Sequence, residues 1–284
     1  MILRALAGAS VALAVLAAAW PAGAEDALLR VVRVPASAGP LTDPGDGFWN
    51  DAPSLAVAME GQVIATPAHP DPAIKELSVR AAHNGQWIAF LIEWADPTKS
   101  DRIVLDTFGD QVAVELPVRL DKDNPPSPMM GGPDGRVSIM QWRAAFQRDI
   151  DEGQPSVRDL YPNAQVDIYP DQVLRATDAR PYMGAIGVDN PISHPNRTPV
   201  LDQMAEGWGT LTVKTEQHAD GRGVWRDGRW RVVITHPLAT ESESEPRLLP
   251  GDESLAAFAV WEGGNREVGA RKAWSNWVPL KLDQ

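Results

Sequence analysis

Apolar residues along this chain come in short runs bounded by Pro, Gly, Asn and Asp. Runs of about 4–8 residues, enriched in β-branched and aromatic positions, predict strands. Residues 27–34 (ALLRVVRV) predict a first strand. LAVAM at 55–59 and QVIA at 62–65 predict two arms of a hairpin around Glu60-Gly61. LSVRAA at 77–82 alternates, and WIAFLIEW at 87–94 returns as a strongly apolar strand. His83-Asn84-Gly85-Gln86 joins them, and Asn-Gly is the strongest short hairpin cue. Further strands are predicted over 111–118, 136–143, 209–214 and 229–235, with a turn region at 221–228. LAAFAVW at 255–261 reads as a buried strand, and WVPL at 277–280 as a short closing one.

Loops fill the intervals. Residues 43–51 embed Trp49, residues 124–135 mix Pro, Met and Gly, and residues 240–250 are charged. From 144 to 206 the periodicity weakens among Pro, Asp, Asn and Tyr. A loop that long inside a compact domain is usually functional, so residues 153–199 are a candidate docking surface. No internal repeat and no clean linker divides the chain. The pattern predicts a mainly β fold: one antiparallel β-sandwich over residues 25–284, with long loops and few short helices.

The chain has 284 residues, with 25 prolines, 23 glycines and 11 tryptophans. That length buries a sizeable core. The formal net charge of −12 argues against nucleic acid, whose phosphates would be repelled. Residues 1–24 read as a cleaved signal peptide. Arg4 supplies the basic start, an apolar run follows to Trp20, and Ala22-Gly23-Ala24 fits the cleavage site. The run is short for a membrane span and the rest of the chain offers none. The expected location is therefore the periplasm. Cysteine is absent, which excludes covalently attached c-type haem, thiolate-held iron–sulfur clusters and thiol nucleophiles.

Two stretches carry candidate chemistry. Near the C-terminus, Gly263-Gly264-Asn265 leads to Arg271-Lys272-Ala273-Trp274 between two predicted strands. Composition alone makes Lys272 a solvated loop cation. Its placement between aromatic-flanked strands points it into a pocket. The second stretch is Pro128-Met129-Met130-Gly131-Gly132, where glycine permits close approach and proline stiffens the backbone. Taken alone, Met129 and Met130 read as gap-fillers in the core. Trp142, Trp261, Trp274 and Trp277 read first as core aromatics and second as a pocket wall. His69, His83, His194, His218 and His236 show no metal-ligand spacing. His83 reads as a turn residue and His194 as a loop residue. Asp121-Lys122-Asp123-Asn124 reads as a solvated acidic turn.

Together these stretches resemble the haem b-binding γ subunit of exported molybdenum oxidoreductases of the dimethyl sulfoxide reductase superfamily. The relatives are ethylbenzene dehydrogenase, dimethyl sulfide dehydrogenase, selenate reductase and chlorate reductase. The similar features run in order. They are the strand at 112–117, Met130-Gly131 leading into 137–142, the 207–212 stretch, the 228–233 strand, Ala259 to Asn265, and Arg271 to Ser275. The family strand usually carries Asn, Trp and His where this chain has Ser138, Met140 and Gln141, a departure at the pocket wall. The resemblance implies one b-type haem with Met130 and Lys272 as axial ligands, Met130 being preferred to Met129 because glycine follows it. It further implies a non-catalytic subunit. Electrons would pass between the iron–sulfur subunit of a molybdenum-containing catalytic complex and a soluble c-type cytochrome. The alternative from another class is a haem-free carbohydrate- or ligand-binding sandwich module.

Overall fold

The computed structural model describes residues 28–35, 38–133, 135–164, 176–178 and 197–284. Residues 1–24, where a signal peptide is expected, His194 and most of the 153–199 stretch lie outside the described residues.

Among the described residues, fourteen strands form one hydrogen-bonded network folded into two layers. The first layer contains β1 (Leu29–Arg33), β2 (Leu55–Ala58), β4 (Glu76–His83) and β5 (Trp87–Ala95). It also holds β10 (Asp220–Arg226), β11 (Arg229–Pro237) and β14 (Val278–Leu282). The second contains β3 (Glu60–Gly61), β6 (Gln111–Pro117), β7 (Val137–Arg143) and β8 (Val200–Ala205). Two short strands, β9 (Thr212–Val213) and β13 (Ala273–Trp274), complete it. The long strand β12 (Glu253–Trp261) belongs to both. Its first half pairs with β14 and its second half with β6 and β13. Two short helices, α1 (Ala144–Glu152) and α2 (Val157–Leu160), follow β7. The fold is mainly β, as the pattern predicts. Pairing is antiparallel except at β1, which runs parallel to β4 and β14.

The principal core lies between the layers. Leu77, Val79, Phe90, Ile92, Trp230 and Val232 from the first layer meet Val112, Val114, Met140, Trp142 and Phe258 from the second. Phe90 packs edge-on against Phe258 with centroids 6.3 Å apart, and Trp142 against Trp230 at 4.9 Å. Such pairs add about 0.5–1.5 kcal/mol beyond their burial. Trp142 is therefore a core aromatic and not a pocket wall.

Several boundaries differ from the sequence pattern for identifiable reasons. The expected hairpin at 55–65 does not close on itself: β2 pairs with β4, and β3 with β13. The 221–228 segment is mostly strand β10, paired with β11. Its glycines resemble turn signals but serve packing. A Cβ on Gly221 would sit 2.3 Å from the Val233 carbonyl oxygen, and one on Gly223 2.2 Å from the Trp142 ring. The turn itself is Asp227-Gly228, both with positive φ. The Asn84-Gly85 turn forms as expected, with Asn84 Oδ1 accepting the Gln86 and Trp87 N–H groups. The 209–214 strand shrinks to β9. Helix α1 and strand β8 emerge from the weak-pattern stretch, where only tertiary packing of Ala144, Ala145, Val200 and Ala205 reveals them.

Candidate functional site

The second layer has one face in the principal core and its other face under a set of loops. Side chains alternate along strands, so every second residue points to the loop side. These are Gln111, Ala113 and Glu115 on β6, Ile139, Gln141 and Arg143 on β7, Gln203 on β8, and Ala257, Ala259 and Trp261 on β12. Register aligns them: Ala113 lies opposite Ala259 and Gln141, and Glu115 opposite Ala257 and Ile139. Three neighbouring alanines make a low floor. Above it opens a cavity of about 520 Å³, within the range of about 300–1,000 Å³ usual for cofactor and ligand sites.

Three loops form the walls. The first brings Pro128, Met129 and Met130, the second Trp208 and Leu211, and the third Val268, Gly269, Ala270 and Lys272. Met130 and Lys272, far apart in the chain, thus line the same cavity, as does Met129. Trp261 and Trp274 line it too. Trp277 packs beneath with Val137, Ile139 and Trp261, and its Nε1–H donates to the Pro126 carbonyl at 2.6 Å. At the mouth, Ile103, Trp208, Leu211 and Val268 are exposed apolar residues.

The backbone of the Met130 loop and of the Lys272 loop is pinned. Met130 and Gly131 each have φ of 69°, the left-handed region that costs a non-glycine residue energy. The next position must be glycine, since a Cβ on Gly131 would lie 2.7 Å from the Gly135 carbonyl oxygen. The Met130 carbonyl accepts the Gly207 N–H at 2.8 Å, and Gly131 N–H donates to Ser127. On the other loop, Trp261 Nε1–H donates to the Gly269 carbonyl and Gln62 Nε2–H to that of Ala270. Buried Glu267 accepts the Ala73 and Glu262 N–H groups and meets His69 Nε2 at 2.8 Å. His69 thus supports the lysine loop. His83 lies at the end of β4, bonded to the Asp283 carbonyl and away from the cavity.

Three ionisable groups stand in this mostly apolar space. Lys272 Nζ lies 5.2 Å from the Trp261 ring centroid. Burial lowers its pKa, against the raising pull of Glu115. Burial raises that of Glu115, opposed by the charge of Lys272 and by the Met130 backbone N–H. Glu115 Oε1 has no hydrogen-bond partner. Arg143, at the other end of the β6–β7 floor, donates from Nη2 to Gln141 Oε1 at 2.9 Å, and its guanidinium lies over Phe146. Its buried Nε has no partner, and among the described residues no carboxylate pairs with it. A cation there calls for an anionic ligand.

The family model described as ethylbenzene dehydrogenase matches residues 46–273, a span that includes every cavity-lining residue named above except Trp274. The chain belongs to the ethylbenzene dehydrogenase family. Curated relatives agree with the expected γ-subunit resemblance. It is 24% identical to the "Putative respiratory nitrate reductase heme subunit" of Haloferax mediterranei, over 82% of this chain and 66% of that protein, just under two thirds of its length. It is 23% identical to the dimethylsulfide dehydrogenase subunit gamma of Rhodovulum sulfidophilum, over 84% of this chain and 75% of that one. It is 25% identical to the chlorate reductase subunit gamma of Ideonella dechloratans, over 94% and 90% respectively. Among solved structures, a family 9 carbohydrate binding module from Caldicellulosiruptor kristjanssonii in complex with cellotriose aligns over 90% of this chain and 93% of its own. Identity there is 13% and the TM-score 0.42.

For a member of the ethylbenzene dehydrogenase family, the residues at the cavity suit a haem. A thioether and an amine are available, the floor is low, and a guanidinium with no carboxylate partner among the described residues is present. Sequence reading alone missed Glu115 and Arg143. Their signal was a charge at alternate positions of otherwise apolar strands facing a pocket.

Proposed function

We propose that this chain is a non-catalytic electron-transfer subunit holding one non-covalent haem b, with Met130 and Lys272 as the axial ligands. The observation that carries the reading is their convergence on one apolar cavity of cofactor size. A bound haem b supplies one-electron exchange at its iron. The remaining work falls to the chain. Lysine must shed its proton to offer a lone pair, and burial of Lys272 favours the neutral amine. The Met130 thioether is a soft ligand that raises a haem potential. With two protein ligands, no position is left for substrate. The alanines at 113, 257 and 259 would leave room for a flat macrocycle, and Arg143 would supply the cation for its carboxylates. With no cysteine, attachment is non-covalent.

In this reading residues 25–284 form the mature domain in the periplasm. The relatives named as heme and gamma subunits of reductases and dehydrogenases support its assembly with larger subunits. The proposed partners are a molybdenum-containing catalytic subunit, an iron–sulfur subunit and a soluble c-type cytochrome.

The test is the absorption spectrum of the protein purified with its partners from a haem-replete periplasm. A low-spin, six-coordinate spectrum, with haem extractable into acidified organic solvent, is expected. A colourless preparation sinks the proposal.

A further inference from the structure

Three carboxylates that the haem cavity does not use meet at one end of the sandwich. Asp96 follows β5, Asp110 precedes β6 and Glu262 follows β12. Each can offer an oxygen such that all three lie within 4.8 Å of one another. Asp96 and Asp110 are fully buried and Glu262 is 8% exposed. Their partners are neutral. Asp96 Oδ1 accepts the Thr98 N–H and hydroxyl at 3.0 and 3.2 Å. Asp110 accepts N–H groups from Gly263, Ser100 and the Trp230 indole, all within 2.9 Å. Glu262 Oε1 accepts the Gly264 N–H at 2.9 Å and lies 3.3 Å from the Thr98 hydroxyl.

Asp96 Oδ2 has no hydrogen-bond partner although it is buried. The Trp94 indole is near enough to favour the carboxylate but forms no hydrogen bond of proper geometry with it. Among the described residues, no lysine, arginine or histidine forms an ion pair with any of the three acids. Another cluster makes the contrast. His218, His236 and Glu245 also lie within 4.8 Å of one another, which their spacing in the sequence does not suggest. There Lys214 Nζ stands 3.2 Å from Glu245 and supplies the counter-charge. Buried like charges without a counter-ion are costly, and a coordinated metal is one way such sites are satisfied.

We propose that Asp96, Asp110 and Glu262 bind a calcium ion. The donors are all hard oxygens, as calcium prefers, and Ca–O distances of about 2.3–2.6 Å let two ligands stand about 5 Å apart across the ion. The ion ties the end of β5 to the start of β6 and the end of β12. The latter two carry the cavity floor, and Glu262 begins the loop that ends at Lys272. Gly263 fits the crossing because a Cβ there would lie 2.2 Å from the Phe108 carbonyl oxygen.

The full chain with its cofactor is stripped with EGTA and dialysed against calcium, magnesium or no metal. Three readouts are metal content, melting temperature and terbium luminescence excited through tryptophan, since the Trp230 indole bonds directly to Asp110. Expected are one calcium per chain, sensitised terbium emission displaced by calcium, and a melting temperature raised by at least about 5 °C at a hundredfold excess over Kd. Asp96→Asn removes one charge of a repelling set. In EGTA it melts as high as the unaltered chain or higher, and it loses the calcium-dependent rise. No calcium retained, no sensitised emission and no shift in the unaltered chain overturn the assignment, whether or not the variant folds. An undiminished calcium shift in Asp96→Asn also overturns it, as does a response to magnesium alone.

Discussion

Glu115 and Lys272 face one cavity, and each resists what burial does to the other. Burial favours the uncharged form of both, while their attraction favours the ion pair. Glu115 is also tied to the second proposed ligand through the Met130 backbone N–H. It therefore stands between the two residues on which the proposed haem site depends. Glu115→Gln keeps an oxygen for that N–H and is expected to retain haem. Glu115→Ala takes the acceptor from that half-buried N–H, at a cost of about 0.5–1.5 kcal/mol. It should lower the urea midpoint and speed haem loss to added apomyoglobin. Equal haem loss from both variants would show that the Met130 contact is irrelevant.

The ligand assignment predicts distinct spectra. Lys272→Ala and Met130→Ala should each abolish the six-coordinate low-spin spectrum, while Met129→Ala leaves it in place although Met129 lines the same cavity. Redox titration adds a second readout. Met130→His replaces a ligand that favours the reduced state and should lower the midpoint potential. Potentials unchanged in both Met130→His and Lys272→His mean that neither side chain touches the iron.

Much of this fold is written locally. The β4–β5 hairpin is legible because Asn84-Gly85 specifies its turn and both flanks are apolar. The strands β6, β7, β11 and β12 are legible because they are buried on nearly every side chain. What was hidden depends on distant partners. The glycines of β10 mimic a turn until the Trp142 ring and the Val233 carbonyl are seen against them. Short β3 has no strand signal of its own and exists because β13 bonds to it. Met130 and Lys272 entered through a family resemblance. Their convergence needs the register of β6 against β12, which no local pattern encodes.

Arg143 offers a test of cofactor orientation. Its Nε is buried and unpaired, and among the described residues no carboxylate offsets its charge at the cavity end. Arg143→Met removes that charge while filling similar volume. It should raise the stability of the haem-free chain and weaken haem binding. A charged hydrogen bond contributes about 1.5–3 kcal/mol, so haem affinity should fall roughly 10- to 100-fold. Arg143→Lys should restore part of it. Haem affinity unchanged in Arg143→Met would place the carboxylate edge elsewhere.

Acid sensitivity near neutral pH should come in part from His83. The ring is fully buried. Its Nδ1 accepts the Gly85 N–H at 3.3 Å, and its Nε2 faces the Asp283 carbonyl at 3.1 Å. That arrangement fits the neutral ring with its proton on Nε2, because a proton on Nδ1 would displace the Gly85 contact. Burial and the nearby Arg33 lower its pKa, with the Asp283 carbonyl opposing. The sign follows from linkage. The unfolded chain takes up a proton as pH falls below about 6.5, before the folded chain does. The stabilising contribution is thus complete above that pH and is lost as pH falls towards the folded pKa. Buried Asp110, raised to about 7, acts in the opposite sense over the same range, because the folded chain takes up that proton first. The test is therefore a comparison of slopes from pH 7.5 to 5.5. His83→Gln keeps a donor for the Asp283 carbonyl but cannot titrate, so its urea midpoint should fall less, or rise more, than that of the unaltered chain. Working above pH 5.5 keeps the Glu245 contribution out of the window. Its pKa is held low, so its stabilisation is lost only as pH falls below the ordinary carboxylate range near 4.5. The difference between the two slopes isolates His83, and parallel slopes would show that His83 contributes none of the pH dependence.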